Sequence, residues 1–410
     1  MKPHSRIAQA LPRSGIREVM ELATQLPDVI HLEVGEPSFN TPAHIIEAAR
    51  EDAYAGYTKY TPNAGLPSLR RCVAERYSTA WGRTVLPEQV LISAGAVNAI
   101  MATLGALLDE GDEVLIPDPG WPNYVSIVQM LRGTPVPYPC APENGYLPDA
   151  GIIAARITPR TKALILTNPS NPTGAVFPEA TVEQLVHLAA DHDLYVIADE
   201  VYEALVFEGQ HVPAARFDRD GRVIAISGCS KTYAMTGWRL GWAITTPDIV
   251  SLAAKLMETV VSCAPAVSQR AAEEALTGPQ DCVAEMRAAY ARRRDIVRDI
   301  LGPAGLLPVV PNGAFYALVD LRATGLASRE LSRRLLEEER VAAAPGDTFG
   351  QQSEGMVRIS LASSDEAVTE GCRRIVRFAQ RHAAARASTG RCRPALRKLP
   401  KGLVTYRHGW

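Results

Sequence analysis

The sequence of 410 residues lacks several features that are typical of particular protein classes. The formal net charge is only −2, so no charge excess draws the chain to nucleic acid or to a membrane surface. The seven cysteines include no C-x-x-C pair and no neighbouring histidine cluster, which argues against a zinc site and favours reduced thiols. Binding partners must therefore be inferred from individual sites.

Long hydrophobic runs are also absent. The longest weakly polar stretch, residues 94–108, includes Asn98 and Thr103 and is too short to cross a bilayer, so it predicts a buried helix. The N-terminal residues carry charge without a following apolar region, and no secretory signal is predicted. We expect a cytoplasmic location, with neither a membrane nor nucleic acid as a partner.

Short apolar runs alternate with amphipathic segments from about residue 90 onward. The runs are continuous, which indicates strands that are buried on both faces. The succession predicts an α/β fold with a mainly parallel central sheet flanked by helices, and ligands bind outside the carboxyl ends of the strands in such a sheet. The predicted strands are Val90–Ser93, Glu113–Ile116, Lys162–Leu166, Tyr195–Ala198 and Val223–Ser227.

The C-terminal third has a different pattern, in which helices dominate and two strands are predicted near residues 313–321 and 356–361. This pattern predicts a smaller α+β domain that the N-terminal segment completes. The basic end of the chain holds seven Arg or Lys residues and no acid, and we expect it to be solvated and flexible, with nucleic-acid contact as the alternative. The predicted units are an N-terminal segment (1–42), a large domain (43–290), a small domain (291–385) and a tail (386–410).

The segment from Ser227 to Gly241 suggests a cofactor site. It places Lys231 eight positions before Arg239, among small and hydroxyl residues. A lysine amine forms an imine with an aldehyde, and this spacing suggests pyridoxal phosphate, whose phosphate needs a fixed cation such as Arg239. A solvated surface lysine is the alternative that this segment alone leaves open.

Further candidate residues follow the predicted strands. Asp199 ends a buried strand and could keep a pyridinium nitrogen protonated, although it could also cap a turn. Asn171 lies in a rigid Asn-Pro turn and Tyr202 lies three residues after Asp199, so both could bind the phenolate oxygen of the ring. A structural Asx turn and a core tyrosine are the respective alternatives.

Two other segments give weaker evidence. The turn at residues 93–98 joins a strand to a helix, so free backbone N–H groups there could bind the phosphate. Trp121 could stack on a flat ring, although a packed core tryptophan is at least as common. These segments support a cofactor site but do not decide it.

Seven motifs in order give the sequence a resemblance to the pyridoxal-phosphate aminotransferases of the aspartate aminotransferase type, class I/II, which have fold type I. The similarity runs from about Ser14 to His382. The motifs begin at Val34 (VGEP), Tyr60 (YTPNAGLPSLR), Asn168 (NPSNPTG), Ala198 (ADEVY), Ser230 (SKTYAMTGWR), Pro345 (PGDTFG) and Val357 (VRIS).

The resemblance implies how the cofactor is held. Lys231 matches the Schiff-base lysine, Asp199 the partner of the ring nitrogen, and Asn171 and Tyr202 the partners of the ring oxygen. The residues that match phosphate contacts are Arg239, Ser230 and the backbone of Gly95, Ala96 and Val97.

The resemblance also implies substrate contacts and a partner subunit. Arg358 matches the arginine that binds the substrate α-carboxylate, and the Gly35 backbone, with Asn171, completes that site. Tyr60 matches a tyrosine that reaches the phosphate from a neighbouring subunit, so the resemblance implies a homodimer with shared active sites. Gly228 departs from the pattern, because some members have a phosphate-binding serine there.

The implied activity is that of an aminotransferase. It would move the amino group of an L-amino acid to a 2-oxo acid through a Lys231 Schiff base and a pyridoxamine phosphate intermediate. A carbon–sulfur or other β/γ-lyase is the alternative, because the same electron sink serves both reactions. A non-catalytic transcription regulator would need a DNA-binding domain, and about thirty residues before Val34 are too few for one. The sequence does not name the substrates.

Overall fold

The structure is a computed structural model that describes residues 2–390, so residues 391–410 of the predicted tail lie outside the described residues. The strands in the described part are β1 (Ile30–His31), β2 (Val90–Ser93), β3 (Glu113–Asp118), β4 (Thr134–Pro139), β5 (Thr161–Thr167), β6 (Tyr195–Asp199), β7 (Val223–Gly228), β8 (Gly241–Ile244), β9 (Tyr316–Asp320), β10 (Val341–Ala342), β11 (Ala344–Pro345) and β12 (Met356–Ser360).

Helices separate most of these strands. Those within residues 2–390 are α1 (Arg6–Ala10), α2 (Gly15–Ala23), α3 (Ala43–Tyr54), α4 (Pro67–Trp81), α5 (Ala96–Leu107), α6 (Asn123–Met130), α7 (Ala150–Ala154), α8 (Glu179–Asp191), α9 (Cys229–Thr232), α10 (Pro247–Val260), α11 (Ala266–Thr277), α12 (Asp281–Leu301), α13 (Ser328–Glu339) and α14 (Asp365–Gly390). None of these described helices is long and apolar enough to cross a membrane. The cytoplasmic location stays a prediction.

The central sheet of the described part has seven strands in the order β2–β8–β7–β6–β5–β3–β4. Neighbouring strands are parallel except at β8, which runs antiparallel to β2 and to β7. The mainly parallel arrangement confirms the predicted α/β fold. All five predicted strands of this domain are present, and the carboxyl ends of β5, β6 and β7 lead into the segments that carry Asn171, Asp199 and Lys231.

Both faces of the central sheet are covered, which explains the continuous apolar runs in the sequence. Leu164 and Leu166 of β5 enter one hydrophobic core, with residues of α4, α8 and α11. Ile165, between them, enters a second core with residues of α5, α6 and α10. Because successive side chains of a strand point to opposite faces, consecutive residues in the middle of such a strand must be apolar. Each fully buried Leu or Ile contributes roughly 1.5–3 kcal/mol relative to an exposed one.

A second sheet, with strands in the order β11–β12–β9, is antiparallel. It packs with α12, α13 and α14 around a further core. The N-terminal segment reaches this part of the molecule, because β1 pairs in parallel with β10 and places Ile30 opposite Val341. This pairing supports an N-terminal contribution to the small domain. The exact domain boundaries stay a prediction.

Candidate active site

A cavity of about 710 Å³ lies at the carboxyl ends of the central strands, between the two sheets. Two predicted site residues, Gly95 and Tyr60, are not among its lining residues. Eleven others line it, namely Gly35, Ala96, Val97, Trp121, Asn171, Asp199, Tyr202, Ser230, Lys231, Arg239 and Arg358. The fold therefore brings together residues that are separated by more than 300 positions in the sequence.

Lys231 lies on the short helix α9, directly after β7. Its Nζ donates a hydrogen bond of 2.7 Å to the carbonyl oxygen of Gly35, which comes from the N-terminal segment. Burial of the amine lowers the pKa of Lys231 from 10.5 to about 8. The neutral, nucleophilic form of the amine is therefore accessible at a mildly alkaline pH.

Asp199 is a buried acid at the end of β6. Burial raises the pKa of its carboxyl from 3.8 to about 6, although hydrogen bonds from Tyr124 and the Val201 backbone oppose the rise. The Tyr124 hydroxyl lies 2.5 Å from Oδ2 of Asp199 and 2.8 Å from Oγ1 of Thr167. Among the described residues, no cation lies within 4.0 Å of this carboxylate. It is therefore available to accept a hydrogen bond from a protonated group of a ligand.

Arg358 lies on β12 and is only 1% exposed. Its Nη2 donates to the Glu33 carbonyl oxygen at 2.6 Å, and its Nη1 donates to Oδ1 of Asn171 at 3.2 Å. The rings of Tyr316 and Phe349 lie 4.3 Å and 4.7 Å from its Cζ atom.

The charge of Arg358 is not neutralised locally. Burial lowers the pKa of the guanidinium, and its Nε has no hydrogen-bond partner in the described part of the chain. No carboxylate lies within 4.0 Å of it among residues 2–390. A buried guanidinium of this kind is suited to a ligand carboxylate, which can accept two parallel hydrogen bonds.

A helix start and a second arginine also line the cavity. Helix α5 begins at Ala96, and its first backbone N–H groups and dipole favour a negative charge. Arg239 lies beside this helix start, and its Nη1 donates to the Thr236 carbonyl oxygen at 2.9 Å. Gly95 has a φ of +88°, and a Cβ atom there would lie 2.6 Å from Nη2 of Arg239. Gly95 thus shapes this end of the site without lining the cavity.

Gly228 has a structural explanation. A Cβ atom at Gly228 would lie 2.8 Å from the Cα atom of Gly241 on the paired strand β8. A Cβ atom at Gly241 would in turn lie 2.5 Å from the backbone nitrogen of Ala96. The two glycines therefore allow β7, β8 and the start of α5 to approach closely. A serine at position 228 would not fit this packing.

Several residues of the site were not predicted from the sequence. Tyr124, which binds Asp199, lies three residues after Trp121, and the two rings pack edge to face with centroids 5.3 Å apart. Its position three residues after Trp121 was the available signal in the sequence. Tyr316 comes from the second sheet, and its hydroxyl lies 3.0 Å from that of Tyr202. No local pattern connects Tyr316 with the central sheet.

Tyr60 is the predicted site residue that the fold leaves apart. Its side chain is 89% exposed and lies outside the cavity of its own chain. This exposure is compatible with the predicted contact to a neighbouring subunit, which stays a prediction.

Comparison with known proteins assigns the family. The profile of the family described as aminotransferase class I and II matches residues 27–375. The chain belongs to this family. The match confirms the predicted family and fold type. Members of the family depend on pyridoxal phosphate.

Similar proteins agree with this assignment. The chain is 38% identical to an aspartate aminotransferase of Pyrococcus horikoshii over 89% of this chain and 94% of that protein. It is 38% identical to the aspartate/prephenate aminotransferase of Thermus thermophilus, over 92% and 99%, and 39% identical to an arginine–pyruvate transaminase of Pseudomonas aeruginosa, over 85% and 89%.

A solved structure shows the same fold. The aspartate aminotransferase from Thermus thermophilus with maleate superposes with a TM-score of 0.88, at 38% identity, covering 92% of this chain and all of that chain. The protein is therefore an aminotransferase, as the sequence predicts, and it moves amino groups between amino acids and 2-oxo acids.

Proposed function

We propose that this aminotransferase holds pyridoxal phosphate in the cavity described above and binds the α-carboxylate of an L-amino acid at Arg358. The observation that carries the proposal is that Lys231 and Arg358, two cations without a carboxylate within 4.0 Å in the described part, line one cavity. One supplies a nucleophilic amine and the other an anion site. An α-amino acid needs both.

The residues present fit the cofactor in three places. Asp199 offers a buried carboxylate to the ring nitrogen, Arg239 and the start of α5 offer positive charge to the phosphate, and Lys231 offers an amine to the aldehyde. Asn171 and Tyr202 line the same cavity and would bind the ring oxygen. When bound, the cofactor supplies an electron-accepting ring that stabilises negative charge at the substrate Cα.

The protein side chains then have distinct tasks. Arg358 orients the substrate through its carboxylate, while the Tyr316 ring restricts the guanidinium from one side. The Lys231 amine would take up the proton from the substrate Cα, hold it at Nζ and give it back within the same cavity. A pKa of about 8 suits this role, because the amine can both accept and donate a proton near neutral pH.

The donor side chain would lie against the N-terminal helix. Ile16, Arg17 and Met20 of α2 line the cavity together with Val97 and Trp121. This wall is mainly apolar and includes one exposed cation. Because the similar proteins named above act on aspartate, prephenate and arginine, a donor panel must include acidic, aromatic, basic and aliphatic amino acids.

The experiment is an absorption measurement on the purified holoenzyme, with single L-amino acids added in the absence of an acceptor. We expect one class of donors to convert the cofactor to its amino form, and a 2-oxo acid to restore the starting spectrum. The result identifies the donor class directly. Release of ammonia with an unchanged cofactor spectrum would contradict transamination in this cavity.

We also propose that two chains form a homodimer in which Tyr60 of each reaches the site of the other. The proposal is supported by large hydrophobic side chains that are exposed on α3, on the segment after it and on α10. They are Tyr54 (85% exposed), Tyr60 (89%), Leu252 (50%), Leu256 (42%) and Val260 (68%). Exposed large hydrophobic side chains that cluster on a surface are typical of an interface between chains.

Mixed dimers test the shared site. Lys231→Ala and Tyr60→Ala proteins are each expected to be impaired, but a heterodimer contains one site with native Lys231 and native Tyr60. We expect refolded mixtures to recover activity up to about a quarter of the parent value, since half of the dimers are mixed and each holds one intact site. A monomer by light scattering, or no recovery in heterodimers of confirmed composition, would contradict the proposal.

A further inference from the structure

Asp118 is a buried acid that the reaction described above does not use. It is the last residue of β3 and is 8% exposed. Its Oδ1 accepts a hydrogen bond of 3.0 Å from the backbone N–H of Gln352. Two residues further on, the Gly120 N–H donates to the Phe349 carbonyl oxygen at 2.8 Å. Both bonds join the end of the central sheet to the segment between β11 and β12.

That segment, residues 346–353, is tightly folded. It consists of two short 3-10 turns, and Oγ of Ser353 closes it by donating to the Gly346 carbonyl oxygen at 2.7 Å. Gly350 has a φ of +134°, and a Cβ atom there would overlap Oδ1 of Asp118. The carboxylate therefore rests directly against the segment. Because the segment is closed on itself, a contact at Gln352 restricts the whole of it.

Phe349 connects this segment with the substrate site. Its ring lies 4.7 Å from Cζ of Arg358, on a guanidinium that also has the Tyr316 ring at 4.3 Å. A guanidinium packed by two rings loses little conformational entropy when it forms paired hydrogen bonds with a carboxylate. Movement of Phe349 would remove one of these two rings and leave Arg358 less restricted.

We propose that Asp118 is a positioning residue for the carboxylate site: it fixes residues 346–353 and thereby holds Phe349 against Arg358. The inference rests on the role proposed above for Arg358. Asp118 also begins the segment that carries Trp121, so one side chain connects the cofactor-facing wall of the cavity with the carboxylate-binding wall.

The contact is one of hydrogen bonding. Among residues 2–390, no cation lies within 4.0 Å of Asp118, and burial raises the pKa of its carboxyl. An oxygen acceptor at this position is therefore sufficient. Removal of the acceptor leaves the Gln352 N–H without its partner, whereas asparagine keeps one acceptor oxygen.

Three variants of the holoenzyme test the proposal. Asp118→Ala removes the acceptor and Asp118→Asn keeps it. Asp112→Ala, just before the other end of β3, removes a different carboxylate acceptor: Oδ2 of Asp112 accepts a hydrogen bond of 2.9 Å from the Asp109 N–H. The measurements are KM and kcat for the best donor and for a 2-oxo acid, the rate with the amine that lacks the donor's α-carboxylate, and the melting temperature.

We expect Asp118→Ala to raise both KM values about tenfold with kcat within about twofold, because uniform carboxylate binding is lost. Asp118→Asn should change KM by about threefold or less, and Asp112→Ala should leave KM unchanged. The rate with the amine should not fall in Asp118→Ala. An unchanged KM in folded Asp118→Ala, an equal loss with the amine, or an Asn variant as impaired as the Ala variant would overturn the proposal.

Arg358→Ala separates this inference from the proposed function. A large rise in KM in Arg358→Ala together with a normal Asp118→Ala would overturn only the role of Asp118. A normal KM in Arg358→Ala would overturn the carboxylate site itself, and with it the inference about Asp118.

Discussion

The charges of the cavity and the charges on the C-terminal helices are arranged in opposite ways. Lys231, Asp199 and Arg358 are withdrawn from water, and none forms an ion pair within 4.0 Å in the described part of the chain. Glu338 at the end of α13 instead binds Arg334 and Arg381 at 2.8 Å and His382 at 2.9 Å. The charged groups on the helices form ion pairs with one another, whereas those of the cavity are available to pair with charged groups of a ligand.

The shifts in pKa show how the two arrangements affect the stability of the protein. Burial raises the pKa of Asp199 to about 6, so its ionised form is disfavoured in the apo-protein. For Glu338, partial burial raises the pKa, but hydrogen bonds from His382, Arg334 and Arg381 outweigh it and lower the pKa to about 2. The buried Asp199 carboxylate thus lowers the stability of the apo-protein, while the hydrogen bonds of Glu338 raise it. Perturbed groups in a cleft of this kind are typical of functional sites.

The largest effect is expected for Lys231→Ala. Turnover should fall by at least about 10³-fold, because the variant lacks the amine that we propose as both nucleophile and proton carrier. The apo-protein should melt no lower than the parent, since a disfavoured buried charge is removed. Steady-state kinetics and thermal melting of both proteins measure this, with Lys255→Ala as the control. Normal turnover in the variant would show that Lys231 is not the catalytic amine.

Asp199→Asn is expected to make the apo-protein more stable and the enzyme less active. The Asp199 carboxyl binds its proton more tightly in the folded than in the unfolded protein. Its ionisation therefore lowers the free energy of unfolding increasingly as the pH rises from about 4 to about 6, and by a constant amount above that. Each pKa unit corresponds to about 1.4 kcal/mol, which gives a gain of roughly 2–3 kcal/mol at pH 7.

Urea unfolding of the two apo-proteins between pH 4 and 8 measures this gain, with exposed Asp191→Asn as the control. The stability difference should widen over the lower half of that range. A variant less stable than the parent at pH 7 would show that the hydrogen bonds of the protein already stabilise the ionised carboxylate in the apo-protein.

Arg358→Lys separates charge from geometry in the substrate site. Lysine keeps the positive charge but cannot form two parallel hydrogen bonds with a carboxylate. We expect KM for the amino acid to rise about 10- to 100-fold, with a smaller change in kcat. Initial-rate kinetics measure both, and Arg322→Lys in an exposed ion pair with Asp320 is the control. An unchanged KM would assign carboxylate binding to another residue.

The smallest effect is expected for Glu338, among the paired charges on helices α13 and α14. Glu338→Gln should lower stability at pH 7 by about 1 kcal/mol or less, because its partners are partly exposed to solvent. The contribution of Glu338 is present above about pH 4.5 and is lost as the pH falls toward about 2. Melting curves against pH test this, with Glu51→Gln on α3 as the control. Altered catalytic constants would contradict the separation of the two regions.

The sequence by itself determined the family, the α/β class and the candidate residues of the cavity. This was possible because the information is local: continuous apolar runs predict doubly covered strands, and the motifs around Asn171, Asp199 and Lys231 each follow such a strand. Parallel strands end at one edge of a sheet, so residues after three strands could be expected to meet.

Only the tertiary structure decided which groups face these residues from other parts of the chain. No periodicity of the sequence relates the partners in three of these contacts. Tyr316 contacts Tyr202, and the Gly35 carbonyl contacts the Lys231 amine, across more than one hundred sequence positions. Phe349 contacts Arg358 within the same part of the chain. Tyr316 comes from the second sheet, Phe349 from the segment between β11 and β12, and Gly35 from the N-terminal segment. Burial, and with it the pKa values of Lys231 and Asp199, depends on that closure, because desolvation is a property of the packed cavity.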